Sequence, residues 1–405
     1  MDTIISVLTL LIVAATIFGV AVGRWPLLRA DRTTITLIGA ALLLGIGAMS
    51  LEEAYAAIDF DTILLLFSMM VINGSLFLSG CFGVITQRVV QFARGPRSLL
   101  ALVIGASGVL SVLFLNDTIV LMMTPIVLDV TRALRRNPLP YLIGLAVAAN
   151  IGSTATITGN PQNIIIGSAS KIPYLDFAAA LTPTALIGLV ICWVIVMLIY
   201  RDEFRSGALV APNVLRTRVY RPLLRKAGVV IVLMLIAFLV GVPVPLAAFV
   251  AAGALLATRR FRPERVYKTI DWGLLTFFAG LFVVTHALET QGWTEQLFAA
   301  LAPLAQAGMV PFGVVSVVLS NVISNVPAVL LLQNVIPAFA DQQRAWLTLA
   351  ATATLAGNLT LLGSVANLIM AELAARWGVR VSFGAYLKVG LPVTILTVAV
   401  SLVLV

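Results

Sequence analysis

The chain has 405 residues, of which 60% are hydrophobic and 11% charged, with a mean hydropathy of +1.07. A soluble domain carries about 25% charged residues, so this composition excludes a soluble globular protein and points to an all-α polytopic membrane protein. The net charge of +9 would suit nucleic acid in a soluble chain, but in a membrane chain basic residues mark cytoplasmic loops, and no nucleic-acid partner is expected.

Apolar segments fall near 4–23, 33–50, 62–80, 98–131, 140–168, 178–200, 227–242, 246–258, 271–289, 309–340, 345–375 and 381–405. The first reads as a retained span rather than a signal peptide, because only Met1-Asp2 precedes it and no small-residue cleavage site follows. Cys81 and Cys192 both lie in or near apolar segments, which suggests no disulfide framework and no metal cluster.

Charge sets the topology. With the amino terminus outside, the inside loops hold Arg24/Arg29/Arg32, Arg88/Arg94/Arg97, Arg132/Arg135/Arg136, Arg201 to Lys226, Arg259 to Lys268 and Arg376/Arg380/Lys388. These are 24 of the 26 basic residues, leaving only Lys171 and Arg344 outside. The split works only if 98–131 and 309–340 each enter and leave on one face, as re-entrant hairpins. Segments 140–168 and 345–375 are then single crossings, each broken in the middle, and both chain ends are expected outside.

The halves match at a distance. Asp59-Phe60 corresponds to Asp271-Trp272 and Gly80 to Gly292 at a shift of 212, and the hairpin residues Asn116 and Asn325 differ by 209. The pattern Thr-x-x-Gly-x-x-x-Asn occurs at Thr156/Gly159/Asn163 and again at Thr360/Gly363/Asn367, a shift of 204. The expected organisation is a first repeat over 1–200, a basic cytoplasmic linker over 201–226, and an inverted second repeat over 227–405. Each repeat holds three spans, a hairpin, a broken helix and a final span. Inverted repeats whose interrupted helices meet at the midplane are a secondary-transporter architecture.

Helix-breaking polar residues at membrane depth are tolerated only where they are buried in protein or line a cavity. Small-residue packing between helices would explain one such stretch; a pair at matching positions favours a solute site. The expected binding residues are Asn116, Thr118, Ser153, Thr154, Thr156, Asn160 and Asn163 from the first half. Ser324, Asn325, Asn358, Thr360, Ser364 and Asn367 come from the second. At the hairpin tips, capping is the competing role, since Asn, Asp and Ser are favoured there in any case.

Asp117 stands apart, because a carboxylate at membrane depth costs a few kcal/mol on insertion scales (about 3). It either carries the coupling ion, a proton or a cation, or caps its helix. His286 and Glu289 share a helix face near the outer end and read as solvated, while Asp59, Asp61 and Asp271 read as interfacial. No Lys or Arg is left for the core. That favours a small hydroxylated solute held by hydrogen bonds over a strongly anionic one.

The stretches Ala149-Asn150-Ile151-Gly152-Ser153 through Gly159-Asn160-Pro161-Gln162-Asn163, Ser324-Asn325-Val326-Pro327, and Ala356-Gly357-Asn358-Leu359 through Gly363-Ser364-Val365-Ala366-Asn367 resemble the ion transporter superfamily. That group includes arsenical pump membrane proteins, citrate and dicarboxylate permeases and Na⁺/H⁺ antiporters. Within it the stretches are similar to bacterial permeases allied to plant silicic-acid efflux transporters. The resemblance implies a scaffold plus a moving transport unit, a homodimer, and one site enclosed by two hairpin tips and two broken helices.

The dicarboxylate branch typically has Ser-Asn-Thr at both tips; Asn116-Asp117-Thr118 and Ser324-Asn325-Val326 depart from it, and Asn116-Asp117 is closer to the arsenical branch. The expected function is proton-coupled efflux of arsenite, antimonite or silicic acid; the competing one is Na⁺-coupled import of a carboxylate or inorganic anion. No enzyme chemistry and no cofactor beyond H⁺ or Na⁺ are expected. The expected partners are a small inorganic solute and membrane lipids, and any ATP coupling would need a separate ATPase subunit.

Overall fold

Helix-start and helix-stop residues set the element boundaries in a computed structural model that describes residues 2–22, 24–25, 30–205, 219–257, 262–293, 296 and 303–405. The first half runs α1 (Asp2–Val22), α2 (Arg32–Gly45), α3 (Leu51–Ala57), α4 (Phe60–Ser79), α5 (Cys81–Phe92), α6 (Pro96–Leu113), α7 (Asn116–Ala133), α8 (Pro138–Ser153), α9 (Pro161–Ser170), α10 (Tyr174–Ile199) and the short α11 (Arg201–Arg205). The second runs α12 (Arg221–Leu239), α13 (Val244–Leu256), α14 (Glu264–Tyr267), α15 (Trp272–Thr290), α16 (Met309–Ile323), α17 (Asn325–Leu332), α18 (Gln342–Ala356), α19 (Val365–Arg376) and α20 (Phe383–Leu404).

Seven helices among the described residues are long and apolar enough to cross a membrane. The strand pairing among the described residues is a two-residue antiparallel ladder, with Arg24 opposite Asp31 and Trp25 opposite Ala30. Of the expected linker, 206–218 lies outside the described residues, as do Arg29, Arg259 and Arg260. Arg221 to Lys226 form the first turns of α12. The amphipathic α5 falls between the apolar segments and was not expected.

The matched sequence landmarks act as matched caps. Asp59 accepts from the Asp61 and Thr62 amides at 3.1 and 3.2 Å, and Asp271 from the Leu274 amide at 2.9 Å. Both carboxylates start a long helix. At the other end Gly80 and Gly292 take φ of +78° and +71°, the left-handed conformation that glycine adopts without a Cβ penalty.

The two halves interlock. α4 of the first packs on α12 and α13 of the second, while α15 of the second packs on α1 and α2 of the first. A separate apolar cluster joins Val13, Leu43 and Ala54 to Val284 and Ala287 in the latter group.

α6 passes the length test for a span, yet the chain turns back after it. Phe114 and Leu115 are extended, and Leu99 and Val103 near the start of α6 share one small cavity with Met123, Val127 and Val130 of α7. The two helices are therefore arms of a hairpin. In the second half the break falls at Ser324, and Phe312 on the first arm stacks on Phe339 beyond the second at 4.8 Å between ring centroids.

The pairing of the broken helices gives their relative direction. α8 packs on α19 and α9 packs on α18, so the first half of each crossing lies beside the second half of the other. The two crossings run in opposite senses, as inverted repeats require.

Candidate functional site

Each broken helix is held open by its own asparagine. After α8 the chain leaves the helix at Ser153, makes a short 3₁₀ turn at Ile157–Gly159, and restarts at Pro161 with Asn160 as the cap. Pro at the first helical position needs no N–H partner, and Asn160 Oδ1 accepts from the Asn163 amide at 2.8 Å.

Asn163 then donates through Nδ2 to the Ser153 and Thr156 carbonyls at 3.1 and 3.0 Å. Asn367 does the same to Gly357 and Thr360 at 2.8 and 3.1 Å. All three positions in each set are offset by 204. Unwound backbone in a buried place leaves carbonyls that cost free energy if unpaired, and these two amides satisfy them.

Asn150 joins the halves. Its Oδ1 accepts from Asn116 Nδ2 at 2.8 Å and from the Ser364 hydroxyl at 3.2 Å. Its Nδ2 donates to Asn358 Oδ1 at 2.9 Å and to Asn367 Oδ1 at 3.3 Å. A second set of cross-half bonds centres on Thr354, which accepts from Asn160 and Gln162 at 3.2 Å each and donates to Asn163 Oδ1 at 3.2 Å. The backbones come very close here: a Cβ on Gly152 would sit 2.2 Å from the Gly108 carbonyl oxygen, and one on Gly159 2.4 Å from that of Ser153.

In front of this network lies a cavity of about 290 Å³. It is lined by both hairpin tips (Asn116-Asp117 and Ser324-Asn325-Val326) and both half-helix starts (Pro161-Gln162 and Gly363-Ser364-Val365). Helix N-termini present free N–H groups to whatever occupies such a space. Three buried polar atoms around the site have no hydrogen-bond partner: Asn116 Oδ1, Asn325 Oδ1 and Asn358 Nδ2. Ser324 at the second tip adopts φ +77°, ψ 156°, a region sparsely populated by anything but glycine.

Of the residues expected to bind solute, Asn116, Ser324, Asn325 and Ser364 line the cavity, as does Asp117. Ser153, Asn160, Asn163, Asn358 and Asn367 stand behind it in the hydrogen-bond network. Thr156 donates to the Val112 carbonyl of the first hairpin, Thr154 to the Asn150 carbonyl, and Thr360 to Asn321. Thr118 is half-buried in the first turn of α7 and does not line the cavity.

Residues that the sequence reading placed elsewhere also reach the site. Asp31, Arg32 and Thr33 at the start of α2, and Asp271 with Gly273 and Leu274 at the start of α15, line the same cavity. The Thr33 hydroxyl donates to the Gly273 carbonyl at 3.1 Å and ties the two starts together. The expectation that no Lys or Arg is left for the site is therefore wrong, since Arg32 lines the cavity, and Asp271, exposed at its span start, lines it too. The side-chain charges acting on Asp117 are those of Asp271 and Arg32. Arg32 reads as part of a basic loop and Asp271 as a span entrance, and linear position does not show that the interlocked packing carries these helix starts to the tips. Gln162 and Asn150 lie inside the quoted motif, but their type alone did not separate them from packing residues.

At the outer end, His286 Nδ1 and Glu289 Oε2 are 2.7 Å apart on an exposed face, in keeping with the solvated reading. Nearby, the Ser50 backbone N–H, followed by its side chain, holds the Glu53 carboxyl below the usual carboxylate range.

Comparison with known proteins agrees with this arrangement. A family model described as citrate transporter matches residues 9–356. The silicon efflux transporter LSI3 of Oryza sativa subsp. japonica is 30% identical, with 94% of this chain and 93% of the relative covered. A 46 kDa membrane protein of Mycobacterium leprae is also 30% identical, over 96% and 97%. The crystal structure of the Alcanivorax borkumensis YdaH transporter shares the fold, with a TM-score of 0.61 at 14% identity, covering 100% of this chain and 97% of that one. The chain is an integral membrane transporter and belongs to the citrate transporter family.

Proposed function

We propose that the protein is a secondary active transporter for a small hydroxylated inorganic solute of the silicic-acid or arsenite class, exchanged for protons carried by Asp117. The observation that carries the reading is the pair of unpartnered acceptors Asn116 Oδ1 and Asn325 Oδ1, one at each hairpin tip, beside a cavity rimmed by helix N-termini. Hydroxyl groups donate to such acceptors, and their oxygens accept from the free amides. The cavity lining also holds three carboxylates, Asp31, Asp117 and Asp271, against one guanidinium, Arg32. A di- or trianion would meet net like charge there, whereas an uncharged polyhydroxy solute would not. The silicon efflux activity named for the rice relative fits this class, and efflux toward the face bearing both termini is the direction we assign.

The test is solute accumulation in everted membrane vesicles under an imposed pH gradient. Wild-type protein accumulates silicic acid or arsenite in a gradient-dependent manner, and Asp117→Asn abolishes the dependence. Transport indifferent to both the gradient and the substitution refutes the proton assignment. The description of the matching family favours a second reading, Na⁺-coupled import of a carboxylate with Arg32 as its cationic contact. Thermal stabilisation by Na⁺ with citrate or succinate, and not by K⁺, would select it.

A further inference from the structure

The direction of the hydrogen bonds at the centre is dictated by backbone. Asn163 Nδ2 donates to the Ser153 and Thr156 carbonyls, and a carbonyl has no proton to give. The Asn163 amide can therefore stand only one way, with Oδ1 as an acceptor. Thr354 donates its single hydroxyl proton to that oxygen at 3.2 Å. With the proton spent, Thr354 can only accept from its other partners, so Asn160 and Gln162 must each present an amide nitrogen, both at 3.2 Å. Nε2 of Gln162 is thus turned to Thr354, which puts Oε1 on the free edge of the amide.

The second half repeats the chain. Asn367 donates to the Gly357 and Thr360 carbonyls, so its Oδ1 accepts, from Asn150 Nδ2 at 3.3 Å. Asn150 Oδ1 must then accept as well, from Asn116 Nδ2 at 2.8 Å, and Asn116 Oδ1 is the atom left without a partner. Asn150 and Thr354 are themselves offset by 204. Each takes its polarity from the closed break of the opposite half and passes it to an amide that lines the cavity, Asn116 or Gln162. Both of these amides are left with an oxygen to offer.

Gln162 also breaks the two-fold pattern. Its counterpart at the shift of 204 is Ala366, so a long side chain is not needed to pack a helix restart. Yet Gln162 is 4% exposed and lines the cavity.

We propose that Gln162 is a specificity-determining residue for the solute, which it meets with Oε1. Together with the unpaired Asn116 Oδ1 and Asn325 Oδ1 it makes three acceptors on lining side chains, and the site selects by counting hydroxyls. A solute with three or more hydroxyls satisfies all of them. An ionised carboxylate brings no donor and leaves each one unpaired. This rests on the reading of the cavity as the solute site and is independent of the proton role of Asp117.

The experiment titrates silicic acid, methylsilanetriol and dimethylsilanediol into the purified, detergent-solubilised protein by calorimetry. These solutes carry four, three and two hydroxyls, with a methyl group of similar size in place of each one lost. Wild-type protein binds dimethylsilanediol about tenfold more weakly than methylsilanetriol, the loss expected of one buried acceptor left unpaired. Gln162→Met, which keeps the length and removes the oxygen, binds the two alike. Thr354 keeps Asn160 and Asn163 in this variant, and Gln162→Asn, which withdraws the oxygen by one carbon, takes its place if Gln162→Met does not fold. A tenfold ratio that persists in the variants, or a ratio near one in wild type, overturns the role of Gln162 and leaves the cavity reading standing. No saturable binding of silicic acid or methylsilanetriol to wild type overturns both.

Discussion

Replacement of Gly152 by alanine tests the close approach on which the site is built. The new Cβ would lie 2.2 Å from the Gly108 carbonyl oxygen, 2.6 Å from its Cα and 2.7 Å from its carbonyl carbon. Ordinary contact begins near 3.4 Å, so α6 and α8 must separate by about 1.2 Å (3.4 − 2.2). Every clashing atom is backbone, and no rotamer change relieves it.

Overpacking of a close-packed interior costs about 1–3 kcal/mol, and the rigid geometry places Gly152→Ala near 3 kcal/mol. The displacement also carries Asn150, two residues upstream, away from Asn116 and Asn358, so transport falls with stability. Gly144 is the control on the same helix. Its Cβ would meet Leu100 Cδ1 at 3.2 Å and Ile104 Cδ1 at 3.4 Å, the ends of side chains that can turn. The gain of about 1 kcal/mol in helix propensity offsets that contact, so Gly144→Ala is near neutral. Thermal unfolding of the detergent-solubilised protein measures both. A Gly152→Ala midpoint equal to wild type, or a Gly144→Ala midpoint lowered as far, refutes the backbone-contact argument.

Asn150→Leu removes four side-chain hydrogen bonds, three of them between the halves, while keeping the volume; buried groups left unpaired cost about 1–3 kcal/mol each before relaxation, and a loss of about 3 kcal/mol in unfolding measurements is expected, together with transport. Ser324→Gly relieves the unfavourable backbone at the second tip and raises stability by about 1 kcal/mol; a lowered melting midpoint would show that the Ser324 side chain outweighs the strain. Glu53, held below its usual value by Ser50, stabilises the start of α3 fully above pH about 4.3 and loses that contribution as pH falls through the lowered folded value. Hydrogen exchange in α3 therefore accelerates on acidification in wild type, and Glu53→Gln removes the step.

The sequence made the element order legible because each boundary has a local chemical cause. Asp59 and Asp271 announce helix starts, Gly80 and Gly292 announce stops, and Pro161 after Asn160 announces a restart. The hairpins needed a global argument, since neither Phe114 nor Leu115 is a helix breaker by type; only the count of basic loops forces the chain back there. The asparagines were legible as a polar centre but not by role. Asn163 and Asn116 look alike in sequence, yet one closes the backbone break and the other lines the cavity with its oxygen unpaired. Arg32 and Asp271 were illegible because a loop charge and a site charge differ only in tertiary packing.

That packing also explains how a polar site of this kind survives in lipid. An interrupted helix exposes backbone groups that no solvent can satisfy at depth, so each break must be closed before it can bind anything. Here the closing amides, Asn163 and Asn367, occupy the same offset in both halves, and each is held by the opposite half, Asn367 by Asn150 and Asn163 by Thr354. Among the residues that line the cavity, Asn116 Oδ1 and Asn325 Oδ1 at the two tips are left unpaired. Division of labour between closing and facing asparagines makes a distinction that mutagenesis can read. Loss of a closing residue unfolds the centre, whereas loss of a facing residue such as Asn325 leaves the melt intact and removes solute-dependent stabilisation alone.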